Sequence, residues 1–261
     1  MSVTLDEIPE AARVAWVRLR DELHDILGND LIALWAHGGT TLPDRPRRYG
    51  DLDAHVVLER SPDEPTARSI EEAHETIGAE HGVDWDTWYI LAEDAHRPES
   101  PPHAFRAGRR DTAWALHRAH WLAGRYVHLY GLEPGEIVPA PTWPELEGDL
   151  REELDHLERH VAADDSDPYE ATYAIFNGSR ILHSVETGNV VISKRSAGDW
   201  ALEHLPRRWH PAIHAAGRAY DAEATPEDAE LLAAAMAPFV ALVRKRLDGS
   251  ARDGPTRPRL G

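Results

Sequence analysis

The sequence His37-Gly38-Gly39, separated by eleven residues from Asp51-Leu52-Asp53, decides the fold expected for this chain. An apolar run at 31–36 precedes it and is typical of a buried strand, and the two glycines end that run where the backbone must approach another group closely. Backbone N–H groups in such a turn can hold phosphate oxygens. Residues 51–58 have the pattern of a second strand, and strand geometry puts Asp51 and Asp53 on one face. Two carboxylates on one face are suited to binding a hard cation.

A third carboxylate is expected on a later strand, in the sequence Asp84-Trp85-Asp86-Thr87-Trp88. Asp84 and Asp86 would share a face, and spacing alone leaves both open as the third ligand. The chain contains no cysteine, so ligation by carboxylate and phosphate oxygens favours Mg²⁺ or Mn²⁺ over zinc. Such ions hold the attacking and leaving oxygens in phosphoryl or nucleotidyl transfer.

Two segments carry a resemblance to known families. Residues 37–86 resemble the DNA polymerase β-like nucleotidyltransferase superfamily in the order and spacing of glycine turn, carboxylate pair and third carboxylate. The C-terminal half looks like the helical domain of aminoglycoside adenylyltransferases of the 3''/9 type, which act on streptomycin and spectinomycin. Its matching motifs are Ser179-Arg180-Ile181, Thr187-Gly188, Lys194, Asp199-Trp200-Ala201, Leu205-Pro206 and Tyr220. The resemblance spans roughly residues 30–222.

The resemblance implies a role for each matching residue. The catalytic carboxylates, which also bind two Mg²⁺ ions, would be Asp51, Asp53 and Asp86. The register of the strand matches Asp86, rather than Asp84, to the catalytic base of the family. The residues that bind ATP would be Gly38, Gly39, Arg180, Lys194 and Tyr220, the last three reaching back from the helical domain. Glu170 matches the acidic residue that binds the cationic acceptor.

The chain also departs from the family pattern. Gly39 and Gly50 stand where the family has serines, and Asp86 stands where it has a longer glutamate. Glu170 keeps the charge but not the length of the family's acid, and the tryptophan that follows the third strand has no clear counterpart. Two alternatives therefore remain beside antibiotic adenylylation. One is nucleotidyl transfer to another small hydroxyl-bearing metabolite, and the other is a catalytically degenerate nucleotide-binding protein.

The composition of the chain limits the classes of partner that it can bind. A formal net charge of -18 argues against binding to nucleic acid and suits a cationic small molecule, although an acidic surface also serves solubility. The absence of cysteine excludes disulfides, zinc-thiolate sites and thiol catalysis. No signal peptide or long apolar span is visible, so we expect a cytoplasmic protein with no membrane partner. We expect a monomer.

The pattern of apolar residues predicts an α+β protein in two domains. A nucleotidyltransferase domain over residues 1–140 would contain a mixed sheet with helices on one side. A proline-rich linker would lie within 133–144, an all-α helical-bundle domain within 145–247, and a disordered tail over 248–261. A helix is predicted over 112–129, with His117 and His120 on one face. No third ligand is indicated for this pair, so we interpret both as satisfied or exposed histidines and not as a metal pair.

Overall fold

The structure is a computed structural model that describes residues 2–42, 51–163 and 168–253. Gly50 and the end of the predicted tail, 254–261, lie outside these residues. The chain divides into two compact units, and the division falls between Glu145 and Leu146, close to the boundary predicted at 140–145. Within the described residues, no helix is both long and apolar enough to cross a membrane.

The first unit is built around a four-stranded sheet. Its strands are β1 (Leu31–His37), β2 (Asp51–Leu58), β3 (Asp84–Leu91) and β4 (Val127–Gly131). Its helices are α1 (Glu10–Leu27), α2 (Glu64–His81), α3 (Ala92–Ala95), α4 (Trp114–Leu122) and α5 (Pro134–Ile137). Short 3₁₀ turns at Leu5–Glu7, Gly28–Asp30 and Gly38–Thr41 connect these elements.

The sheet is mixed, as the sequence predicted. The strand order is β3-β2-β1-β4; β2 and β3 run parallel, and β1 is antiparallel to both of its neighbours. Helix α2 makes the crossover from β2 to β3, which a parallel pair requires. The register of the parallel pair sets Asp51 opposite Asp84 and Asp53 opposite Asp86. All four carboxylates therefore start on one face at the same edge of the sheet.

Helices cover both faces of the sheet, so the prediction of helices on one side is wrong. On one face, α1 and α2 pack against a core that includes Leu34 and Val56. On the other face, Trp114 and Trp121 of α4 pack with Trp35. The physical reason lies in β1, whose residues are apolar on both faces and are almost all buried.

The predicted helix over 112–129 is also wrong in its second half. Helix α4 ends at Leu122, and Gly124 follows with φ of 80°, a left-handed conformation that glycine adopts without strain. The chain then forms β4, which adds an antiparallel edge to β1. Within the proline-rich segment, residues 134–137 form α5 because Pro134 occupies a first-turn position that needs no N–H donor.

The second unit is all-α, as predicted. It contains most of α6 (Trp143–Ala162) together with α7 (Pro168–Thr187), α8 (Lys194–His204), α9 (His210–Tyr220) and α10 (Pro226–Asp253). Helix α7 is central and packs against α8, α9 and α10. Helix α10 continues to Asp253, so residues 248–253 are helical and do not belong to the tail predicted from 248.

Candidate active site

Three carboxylates converge at the exposed end of the parallel strand pair. One carboxylate oxygen each from Asp51, Asp53 and Asp86 lies within 4.8 Å of the others. Asp51 and Asp86 are exposed and Asp53 is half-buried, so the group opens to solvent. Asp84 shares the face but does not belong to this group within the described residues. The structure therefore brings together the three carboxylates that the resemblance selected, with Asp86 and not Asp84 as the third.

The glycine turn packs directly against this group. Gly38 has φ of 74°, and a Cβ atom at this position would lie 1.7 Å from Oδ2 of Asp53. Gly39 belongs to the same 3₁₀ turn, which Thr41 closes by donating its hydroxyl to the Gly38 carbonyl over 2.9 Å. Gly38 is thus required twice, by its backbone conformation and by the approach of Asp53.

A buried cluster of histidines surrounds Asp111 behind the carboxylates. His55 follows Asp53 on the same face of β2, and its Nε2 lies 3.1 Å from Oδ2 of Asp111. Nδ1 of His117, on α4, lies 2.8 Å from the same oxygen. Nε2 of His37, at the end of β1, lies 2.8 Å from Nδ1 of His55. A continuous polar chain thus links the glycine turn, β2 and α4.

The electrostatics of this cluster follow from its burial. Burial lowers the pKa of His37 well below its usual range and also lowers the pKa of His55. Burial opposes charge on Asp111 too, but His117 and His55 hold its pKa well below the usual value. Burial likewise opposes charge on His117, yet the Asp111 carboxylate raises its pKa, with smaller contributions from Asp53 and Asp86. The cluster is therefore electrostatically linked to the carboxylate group.

In the second unit, the predicted nucleotide-binding residues lie around the central helix α7. Arg180 donates to Oδ1 of Asn177 over 3.3 Å, and Nζ of Lys194 lies 4.7 Å from the ring centroid of Tyr173. The ring of Tyr220 meets Phe176 edge-on at 5.3 Å. Residues 173, 176, 177 and 180 follow helical spacing, so they form one stripe along α7.

The predicted acceptor-binding acid has a partner of its own. Oε2 of Glu170 lies 3.3 Å from Nδ1 of His160, and both side chains are partly buried. His160 in turn meets the ring of His156 edge-on at 4.5 Å. Glu170 is therefore held by α6 instead of standing alone on α7.

Comparison with protein families gives a match for the second unit of the chain. Residues 148–246 match the family described as "Aminoglycoside adenylyltransferase, C-terminal domain". The second unit is therefore similar to that family over these residues. A search of curated protein sequences finds no match.

The whole fold has a solved counterpart. The chain is similar to the crystal structure of spectinomycin adenyltransferase AAD(9) from Enterococcus faecialis with ATP and spectinomycin. The TM-score is 0.70 at 17% sequence identity, and the match covers 90% of this chain and 98% of that one. The predicted resemblance to aminoglycoside adenylyltransferases and the predicted α+β class are confirmed. At the level of this family, so is the prediction of a nucleotidyltransferase enzyme.

Sequence reasoning missed several residues of the site. The sequence does not single out Asp111 or His55, and it leaves the hydrogen-bond partner of His117, which is Asp111, unidentified. Tyr173, which lies beneath Lys194, was also missed. A weak signal did exist for His55, because a histidine at an alternating position of a buried apolar strand needs a polar partner.

Proposed function

We propose that this protein transfers AMP from ATP to a hydroxyl group of a cationic aminocyclitol antibiotic of the streptomycin or spectinomycin type, in a Mg²⁺-dependent reaction. The observation that carries the proposal is the convergence of Asp51, Asp53 and Asp86 within 4.8 Å beside the Gly38 turn. The family of residues 148–246 and the fold shared with a spectinomycin adenyltransferase support it.

The donor set fits Mg²⁺. Its ligand atoms are carboxylate oxygens on rigid neighbouring strands, and they open toward solvent, from which phosphate oxygens and water could complete an oxygen shell. We assign two Mg²⁺ ions to Asp51, Asp53 and Asp86. When bound, Mg²⁺ would neutralise the triphosphate and the charge that develops on it during transfer.

The chain's own groups supply the remaining steps. The hydroxyl oxygen of the acceptor would attack the α-phosphorus of ATP, and Asp86 would accept the proton of that hydroxyl. The bond from that phosphorus to the bridging oxygen breaks, and pyrophosphate leaves with the electron pair. The N–H groups of Gly38 and Gly39 would donate to phosphate oxygens, since a preformed turn needs no reorganisation at that moment.

The second unit would supply binding groups. We assign Arg180, Lys194 and Tyr220 to the nucleotide, because two are cations; Arg180 lies on α7, and Lys194 and Tyr220 pack against the α7 side chains Tyr173 and Phe176. We assign Glu170 to the acceptor, whose ammonium groups would also be attracted by the net charge of -18. Because the proposed reaction consumes ATP, we expect it to run in the cytoplasm, with the protein acting as a monomer.

A second candidate keeps the chemistry and changes the acceptor. Its support is the pairing of Glu170 with His160, which already occupies one oxygen of the proposed antibiotic-binding acid. A smaller or less cationic hydroxyl compound would not need that carboxylate.

The test measures pyrophosphate release from ATP by the purified protein, with and without Mg²⁺. The acceptors are streptomycin, spectinomycin and other aminoglycosides, with a reaction lacking acceptor as the blank. We expect Mg²⁺-dependent release with one of the first two drugs, and none from the Asp53→Asn variant with its fold intact. Release with other acceptors only would favour the second candidate. If ATP binds and no acceptor causes release, the proposed activity is refuted in favour of a degenerate nucleotide binder.

A further inference from the structure

We propose that His55, Asp111 and His117 form a second metal site, distinct from the carboxylate group, that binds a borderline-soft divalent ion of the Zn²⁺ class. One ligand atom from each residue lies within 4.8 Å of the others, and the ligand atoms would be Nε2 of His55, Oδ2 of Asp111 and Nδ1 of His117. The proposal concerns a binding site and does not depend on the reaction proposed above.

The distances are close to those of a zinc site. Zinc bonds of about 2.0–2.1 Å in tetrahedral geometry place ligand atoms roughly 3.4 Å apart. In the structure, Oδ2 of Asp111 lies 3.1 Å from Nε2 of His55 and 2.8 Å from Nδ1 of His117. These two distances need to lengthen by about 0.3 and 0.6 Å, respectively, to reach that spacing. The hydrogen bonds among them hold the site nearly in place before the ion arrives.

Outer hydrogen bonds orient two of the three ligands. Nδ1 of His55 faces Nε2 of His37 at 2.8 Å, so in the metal-bound form the His55 proton would lie on Nδ1 and be donated to His37. The other oxygen of Asp111 accepts the backbone N–H of Ala113 over 2.9 Å. Histidine and carboxylate ligands of protein metals are commonly fixed in this way by partners at their opposite atoms.

Burial and donor type select the ion. His55 and Asp111 are buried and His117 is 27% exposed, so the site is nearly closed but retains one side open for entry. Trp121 stacks on His117 with ring centroids 5.8 Å apart and forms an apolar wall. Two imidazoles and one carboxylate match Zn²⁺, whereas the all-carboxylate group nearby matches Mg²⁺. The two sites should therefore discriminate between the two ions.

His120 lies on the same helix as His117, and the two were not expected to form a metal pair. Although the two histidines are three positions apart on α4, His120 does not belong to the cluster within the described residues. It therefore provides a matched control on the same helix.

The experiment titrates Co²⁺, a coloured probe for zinc sites, into protein freed of metal by a chelator. We expect one equivalent to give the visible absorption of a tetrahedral or five-coordinate ion, and Zn²⁺ to bleach it stoichiometrically. The Asp51→Asn/Asp86→Asn double variant and the His120→Gln variant should keep this absorption. In the His117→Gln variant, the affinity for Co²⁺ should fall at least tenfold, and this absorption should be lost.

Circular dichroism checks that each variant is folded. Because the side chain of His117 is partly exposed, we expect His117→Gln to fold. A folded wild-type protein that gives no stoichiometric absorption would overturn the proposal. So would equal absorption from His117→Gln, or loss of absorption in the carboxylate double variant alone.

Discussion

Replacing Gly38 by alanine tests whether the glycine turn positions the carboxylates. A Cβ atom on residue 38 would lie 1.7 Å from Oδ2, 2.4 Å from Cγ and 2.9 Å from Cβ of Asp53. The backbone of residue 38 cannot easily move away, because it begins the turn that Thr41 closes. The side chain of Asp53 must therefore shift, and with it one of the proposed metal ligands.

The expected effect of Gly38→Ala has two parts, a loss of stability and a loss of turnover. A non-glycine residue at φ of 74° costs about 1–2 kcal/mol of unfolding free energy. Since real Cβ contacts under 3.0 Å are essentially never observed, the nearest oxygen of Asp53 must move by more than about 1.3 Å. A displacement of about 1 Å in a catalytic constellation costs on the order of 10²-fold in rate. We therefore expect kcat for pyrophosphate release to fall about 100-fold in Gly38→Ala.

The matched control is Gly108→Ala. Gly108 has φ of 77°, but an added Cβ would meet nothing within 4 Å. Urea unfolding should show a similar loss of stability in both variants, whereas pyrophosphate release should fall only in Gly38→Ala. Wild-type turnover by Gly38→Ala, or an equal loss of turnover in Gly108→Ala, would refute the positioning role of the turn.

Two further predictions follow from single side chains. Asp86→Asn should lower turnover by about 10²–10⁴-fold, as expected for loss of a general base, while Asp84→Asn should stay within a few-fold of wild type in the same assay; the opposite order would make Asp84 the base. Burial, aided by Arg106, lowers the pKa of His74 to about 4, below its unfolded value of about 6.5, so the unfolded state binds the extra proton. Folding stability should therefore fall by about 3 kcal/mol as the pH drops from 6.5 to 4, and His74→Gln should remove this part of the fall in urea unfolding series. Identical pH dependence in the two proteins would contradict it.

The carboxylate group was predictable because its geometry is local. Asp51 and Asp53 are two residues apart on one strand, so the alternation of side chains fixes their common face. The choice between Asp84 and Asp86 also requires the register of β2 and β3, which sets Asp53 opposite Asp86. The family resemblance supplied that register, and the structure shows the convergence.

The histidine cluster was not predictable because its contacts are not local. His55 and Asp111 are separated by 56 positions in the chain, and His37 reaches His55 only because β1 and β2 pair. A pattern within one helix pointed to His120, which shares a face of α4 with His117. Spacing along a helix identifies which of its side chains are neighbours. It does not identify the residue from another element that forms hydrogen bonds with them.

The end of α4 was misjudged for a different reason. Residues 112–129 carry apolar side chains at spacings compatible with either a helix or a strand, and the prediction relied on that periodicity. Gly124 was the overlooked signal, since a glycine after an apolar helical stretch commonly ends it in a left-handed conformation. The missed strand β4 makes β1 an interior strand, hydrogen-bonded to β2 on one edge and to β4 on the other.

The order of the metal-binding side chains along β2 follows from how much burial each of them allows. Asp51 is exposed, Asp53 half-buried and His55 buried, all on one face of a single strand. A carboxylate keeps its charge near water or beside hydrogen-bonding partners of its own, whereas a neutral imidazole can be buried once its nitrogens are hydrogen-bonded. Along β2, the carboxylates therefore occupy the open end and the imidazole the closed end, where Asp111 joins it from outside the strand with hydrogen bonds from His55 and His117. Burial and donor type together thus separate a surface suited to Mg²⁺ and phosphate from a pocket suited to Zn²⁺, which begins two residues further along the strand at His55.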